Sequence, residues 1–135
     1  MTRATVIAAV HNYLAAAYRG PVTIQPEASA ETLSPPYAVI RVGSGEVMFP
    51  GVAEVWDMNI LVGVLHDADV TTAEDAEAQA AEVFAMLDDP AGLIESSAAT
   101  LAWSAFERMG TDASLAETRW QHIAAFHAIV APAED

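Results

Sequence analysis

Residues 52–65, VAEVWDMNILVGVL, carry the most sustained alternation in the sequence. Val52, Trp56, Met58, Ile60, Val62 and Val64 share one parity. Successive side chains of a strand point to opposite faces, so this set predicts one apolar face turned toward a core. Asp57 and Asn59 take the other parity, which turns apolar again at Leu61 and Leu65. The far end of the strand is therefore expected to be covered on both sides. A strand this long exceeds the usual ~5–6 residues.

Two segments have helical rather than alternating periodicity. In residues 2–19, Val6, Val10, Leu14, Ala17 and Tyr18 fall on one helical face, Thr2 is placed to cap, and Gly20-Pro21 stops the helix. In the second helix Ala76, Ala80, Val83, Phe84 and Leu87 form the apolar stripe. Thr71 and Glu74 have capping-box spacing, and Asp88-Asp89-Pro90 ends the helix. Glu74, Asp75 and Glu77 near its start complement the helix dipole.

The remaining strands are expected at Val22–Pro26, Tyr37–Val42, Thr100–Arg108 and Thr118–Val130. Residues 27–36 read as a loop or extended arm. Residues 43–51, GSGEVMFPG, read as a flexible connector bounded by glycines, and Gly110-Thr111-Asp112 as a turn. Residues 131–135 read as a frayed tail. The expected order is α-β-β-β-α-β-β. That is a single α+β domain, a mainly antiparallel sheet packed by two helices. Its 135 residues fit one domain.

Charge narrows the function. Nineteen Asp and Glu face five basic residues, all arginine, for a formal net charge of −14. Nucleic-acid readers need a basic footprint to neutralise phosphates, so direct DNA or RNA binding is not expected. The same charge argues against anionic membrane surfaces. The N-terminal segment lacks the shape of a signal peptide, and no apolar run approaches a spanning helix. No cysteine is present, which excludes disulfides, zinc–thiolate sites and thiol catalysis.

No side-chain constellation announces catalysis, a metal or another cofactor. His66-Asp67-Ala68-Asp69 is the one local cluster with metal-capable groups, and it reads as turn chemistry between a strand and a helix. His122 and His127 have odd spacing on one strand and face opposite ways. His11 lies inside the first helix, and each of these three histidines reads as an ordinary surface or boundary residue. Gly43-Ser44-Gly45 lacks the lysine and following helix of a phosphate loop. No nucleophile, base and orienting group form a set, so the chain is expected not to be an enzyme.

The candidates are instead interface residues. Val47, Met48, Phe49 and Pro50 place large apolar groups in the glycine-bounded segment. They either fold back onto the domain or anchor a partner, since Met and aromatic residues are enriched in interface cores. Arg41, Arg108 and Arg119 are rare cations on expected strands, each suited to pair with a carboxylate within the subunit or across an interface.

The order of elements resembles the tail terminator, or tail completion, proteins of long-tailed phages and prophages. The resemblance spans nearly the whole chain. It runs from TRATVIAAVHNYLAAAY through SPPYAVIRVGSGE and VWDMNILVGVLHDAD to TAEDAEAQAAEVFAMLDDP, and then to TLAWSAFERMG and ETRWQHIAAFHAIV. It implies a homo-oligomeric ring, typically a hexamer, that caps the tail tube and ends its elongation. The implied partners are the tail tube protein and a head-completion or connector protein. The implied location is the virion tail or neck, after synthesis in the host cytoplasm. A lysine-free acidic ring around passing DNA repels phosphates rather than gripping them. The alternative is an acidic chaperone resembling those of type III secretion, a dimer holding an unfolded effector segment. Such chaperones commonly finish with a helix, whereas this chain is expected to finish with a strand.

Overall fold

The computed structural model describes residues 1–26, 34–49, 51 and 53–133. The elements are α1 (Arg3–Ala17), β1 (Thr23–Pro26), β2 (Tyr37–Phe49), β3 (Ala53–Asp67), α2 (Ala73–Asp88), α3 (Ala91–Ser96), β4 (Leu101–Ala116) and β5 (Arg119–Pro132). The strands make one five-stranded sheet in the order β1-β2-β3-β5-β4, parallel only between β1 and β2. The α+β class expected from the sequence is the class observed. α3 is an addition, a single short helix whose Leu93 is fully buried.

Strand parity decides the layers. Met58, Ile60, Val62 and Val64 on β3 and Ala124, Phe126, Ala128 and Val130 on β5 are buried in one core. Directly opposed residues of an antiparallel pair share a face. The register sets Ile60 against Phe126 and Met58 against Ala128, so both sets point the same way. Val6, Val10 and Leu14 of α1, Ala80, Val83, Phe84 and Leu87 of α2, and Leu93 of α3 join that same cluster. All three helices therefore cover one face of the sheet. Leu61 and Leu65, on the other parity, are half-buried among their sheet neighbours. No described helix lies over them.

Caps agree with the local sequence to within one residue. Thr2 caps α1 through a capping box with Thr5. At α2 the cap is Thr72, whose hydroxyl accepts from the Asp75 amide at 3.2 Å, and not Thr71. The Thr71 carbonyl instead accepts from the Trp120 indole at 3.1 Å. That tertiary contact fixes the start of the helix one residue later than spacing implied.

The sheet runs further than the sequence indicated. Residues 43–49 are strand, not connector: Gly45, Glu46 and Val47 pair with Met58, Asp57 and Trp56. The register shifts between Val42 and Ser44, so Gly43 sits at a bulge. A Cβ on Gly45 would lie 3.2 Å from the Met58 Cβ, tighter than ordinary packing. The glycines thus admit close approach within a strand, and the described turn residue is Gly51, where φ is 80°. Val52 lies outside the described residues, and β3 itself begins at Ala53.

Gly110-Thr111-Asp112 is also strand. A second register shift between Arg108 and Gly110 absorbs the glycine, and pairing continues to Ala116 opposite Arg119. The reversal falls at Glu117-Thr118, with Glu117 at φ 56°. At the far end Ala131 and Pro132 belong to β5, and the Ala133 amide donates to the Thr100 carbonyl at 3.0 Å. The expected frayed tail is paired through Ala133 because β4 offers it a partner. Residues 134 and 135 lie outside the described residues.

Trp56 corrects a second expectation. It shares the core parity but is only half-buried, packed against the margin of the core, with its indole donating to Glu54 at 3.3 Å. The full cost of deleting a buried aromatic, about 3–5 kcal/mol, does not apply at such a position. Trp56→Ala is expected to lower the unfolding free energy by about 1–3 kcal/mol, measured by urea titration.

Candidate protein–protein interface

The interface residues read from the sequence do not converge. Met48, 39% exposed, lies near the end of β2 at the tip of the β2–β3 hairpin. Phe49 ends that strand, its side chain outside the described structure, and Pro50 lies outside the described residues. Arg41 is exposed further along β2, beside Leu61.

Arg108 is occupied within the subunit. Its Nε donates to Asp88 Oδ1 at 2.8 Å, its second terminal nitrogen pairs with Asp88 Oδ2, and Nη1 donates to the Thr111 hydroxyl at 3.1 Å. The guanidinium also lies 5.5 Å from the centroid of the Phe84 ring. It therefore ties β4 to the end of α2. Because both partners are partly exposed, this pair contributes about 0–1 kcal/mol. Arg119 donates to the Tyr37 hydroxyl at 3.2 Å across the end of the sheet.

The face opposite the helices holds features that sequence reading missed. Tyr37, Val39, Leu61, Leu65 and Ile123 surround a depression of about 300 Å³ with Gly63 in its lining and Arg41 at its rim. Further along the same face Asp57 accepts from His127 Nε2 at 2.7 Å, and Glu107 lies 4.0 Å from His127 Nδ1. The face thus divides into an apolar half, with Arg41 at its rim and Asp112 beside Ile123, and a half with acidic groups around one histidine. The return of apolar residues at Leu61 and Leu65 was the available signal, and it marked an open surface rather than a second helical layer. His122 and His127 do point to opposite faces, as their spacing required.

Beneath α2 lie two buried imidazoles, contrary to the expectation of surface or boundary histidines in the case of His122. His66 is fully buried and donates from Nε2 to Gln79 Oε1 at 2.8 Å. His122 is 7% exposed. The Nδ1 atoms of both have no hydrogen-bond partner among the described residues. Burial holds the His122 pKa below the ordinary imidazole value, and the neighbouring His66 pushes the same way while Glu77 opposes them. The folded state therefore prefers the neutral ring. Below about pH 6.5 the unfolded chain takes up a proton that the folded protein resists, so this contribution to stability is lost as pH falls from there. His122→Gln is expected to lose less unfolding free energy than the parent between about pH 7 and pH 5. Parallel denaturant titrations of the two proteins isolate this effect from the titration of the many carboxylates.

Among the described residues no three His, Asp or Glu side chains converge to hold a metal. His66, Asp67 and Asp69 separate accordingly: His66 is buried under α2, while Asp67 Oδ1 accepts from the Asp69 amide in a turn. No described helix is long and apolar enough to cross a membrane.

No protein-family model matches the sequence, and no curated protein matches it. Among solved structures the fold is similar to that of a chain in the virion of a native gene transfer agent particle. The TM-score is 0.60 at 19% identity, and the match covers 93% of each chain. At that identity the likeness establishes a shared fold.

Proposed function

We propose that this chain is a structural subunit of a phage-like virion that assembles as a ring on the tail tube. In this reading the ring, most simply of six copies, ends tube elongation and offers a surface to a head-completion or connector protein. The observation that carries it is the likeness of the fold, over 93% of each chain, to a chain of a gene transfer agent virion. Three physical features support it. The net charge of −14 suits a wall that DNA passes without being held. The outer edges of the sheet, β4 on one side and β1 with the part of β2 beyond it on the other, are left unpaired by the described strands, and such edges are managed in assemblies by neighbours. All three helices cover one face of the sheet, which leaves the other face open to a neighbouring subunit.

Cryo-electron microscopy of particles carrying this chain tests the reading. The expected image has a six-fold ring of this protein at the head-proximal end of the tail tube. Particles made without the protein are expected to show tails of uncontrolled length that do not join heads. A compact two-fold dimer that captures an unfolded polypeptide replaces the ring with the chaperone reading.

A further inference from the structure

The outer edge of β4 has two unlike halves. Register shifts between Trp103 and Ala105 and between Arg108 and Gly110 interrupt the first half, and such bulges blunt an edge against pairing. From Gly110 to Ala116 the ladder with β5 is regular and every residue is exposed. The reversal at Glu117-Thr118 makes Ala116 and Arg119 a hydrogen-bonded pair, and such pairs alternate along an antiparallel ladder. Gly110, Asp112, Ser114 and Ala116 therefore turn their main-chain groups toward β5, while Thr111, Ala113 and Leu115 turn theirs outward. The Ala113 amide accordingly donates to the Asp112 carboxylate at 3.0 Å. The side chains of Thr111, Ala113 and Leu115 lie on the helix side of the sheet, level with Ala124, His122 and Trp120. Those of Asp112 and Ser114 lie on the open face, level with Ile123 and Gln121.

We propose that two copies of this chain in solution join edge to edge through Gly110–Ala116 of β4, antiparallel about a two-fold axis at Ala113, into one continuous sheet. The stretch is complementary to itself in one register. Directly opposed residues of an antiparallel pair share a face, so a slip by one residue would oppose helix-side to open-face side chains. A slip by two shortens the pairing and, in one direction, sets Asp112 against Asp112. With Ala113 on the axis the pairing spans the whole regular stretch. Thr111 and Leu115 of one copy exchange main-chain bonds with Leu115 and Thr111 of the other, and the two Ala113 residues with each other. Leu115, 55% exposed in the single chain, gains contact with the Thr111 methyl. On the open face Asp112 meets Ser114, whose hydroxyl donates to the carboxylate that the Ala113 amide leaves. No like charges are opposed within the stretch. Face, register and side-chain pairing thus select a second copy of the same strand as occupant of the edge. A two-fold contact is isologous, whereas a ring with one rotation axis holds only one-directional contacts. The pair is therefore a state of the free protein, beyond the ring reading, that covers an open edge before assembly.

Sedimentation over rising protein concentration should show a monomer in equilibrium with a dimer. Ala113→Pro removes an outward donor and no ladder bond to β5, so it should weaken the dimer at least about tenfold with the urea midpoint nearly unchanged. Ala113→Glu, which opposes two carboxylates on the axis, should weaken it similarly and carries the test if the proline variant does not fold. Ala102→Glu, the same charge outside the stretch, should leave the dimer intact. Raising salt from about 0.05 to about 0.5 M should tighten the dimer, because main-chain bonds hold it while two chains of net charge −14 repel. The chain has no cysteine, so the register is open to cross-linking. Asp112→Cys and Ser114→Cys are made in separate copies, mixed and oxidised. The mixed disulfide should exceed either like-with-like disulfide about tenfold, since opposed residues between the hydrogen-bonded pairs approach most closely. A protein that stays monomeric, a dimer indifferent to Ala113→Glu or loosened by salt, or equal yields of the three disulfides each overturn the pairing and leave the ring reading standing.

Discussion

Phe126→Ala is expected to lower the unfolding free energy by about 3–5 kcal/mol, the usual cost of removing a buried aromatic. Phe126 is fully buried at the centre of β5, opposite Ile60 on β3 and Arg108 on β4. Its ring stacks on Phe106 at 5.2 Å between centroids, and Phe106 meets Trp103 edge-on at 5.6 Å. Truncation removes both the transfer free energy and the contacts that hold this aromatic group together. A domain of this size has about 5–15 kcal/mol in total, so the variant should be close to unfolding at room temperature. Phe126→Leu keeps most of the volume and should cost less than half as much. Urea titration of the two variants decides the matter. A loss below about 1 kcal/mol for the alanine variant would mean that the core closes over the gap.

Changing Met48 and Phe49 together to Ser is expected to leave the isolated domain folded and to remove the protein from assembled particles. Both residues end β2 beside the β2–β3 turn, and Met48 is exposed. In the proposed ring this hairpin tip contacts a neighbouring copy or the tube, and an aromatic anchor at such a contact is worth about 2 kcal/mol or more. Closure multiplies a loss at each contact around the ring, so the effect on assembly should be far larger than the effect on folding. The experiment compares the urea midpoint of the double variant with its occupancy at the tail end in micrographs. A large drop in the midpoint assigns these side chains to the core and removes them from the contact. Normal occupancy with normal stability assigns them no role in assembly.

The particular residues show how far local information reached. The stripe Ala76, Ala80, Val83, Phe84 and Leu87 is buried as its spacing implied, and Thr2 caps α1. The even positions of β3 from Met58 to Val64 face the core. Each of these follows from a period within one element. Misreadings gathered at glycines. Local sequence ends the strands at Gly43, Gly45 and Gly110, because glycine weakens a strand and frees the backbone. The structure uses them at bulges and at a close approach inside long antiparallel pairings. Only the partner strand can distinguish those roles, since a bulge is defined by two residues facing one.

The interface candidates fared by the same rule. Arg108 was recognised as a cation in want of a carboxylate, but the choice of Asp88, twenty positions earlier, belongs to the packing of α2 against β4. His66 and His122 continue the core parity of β3 and β5, but their polar rings read as boundary residues, because the helix that covers them is placed by contacts far along the chain. The sequence by itself determined the α+β class, the faces of the helices and central strands, the acidic surface and the absence of thiol chemistry. These are properties of composition and of short periods. The tertiary structure alone decided the length of the hairpins, the partners of the arginines and the grouping of Tyr37, Val39, Leu61, Leu65 and Ile123 around Gly63. These depend on register between strands distant in sequence, and register is fixed only when every strand satisfies its neighbours together.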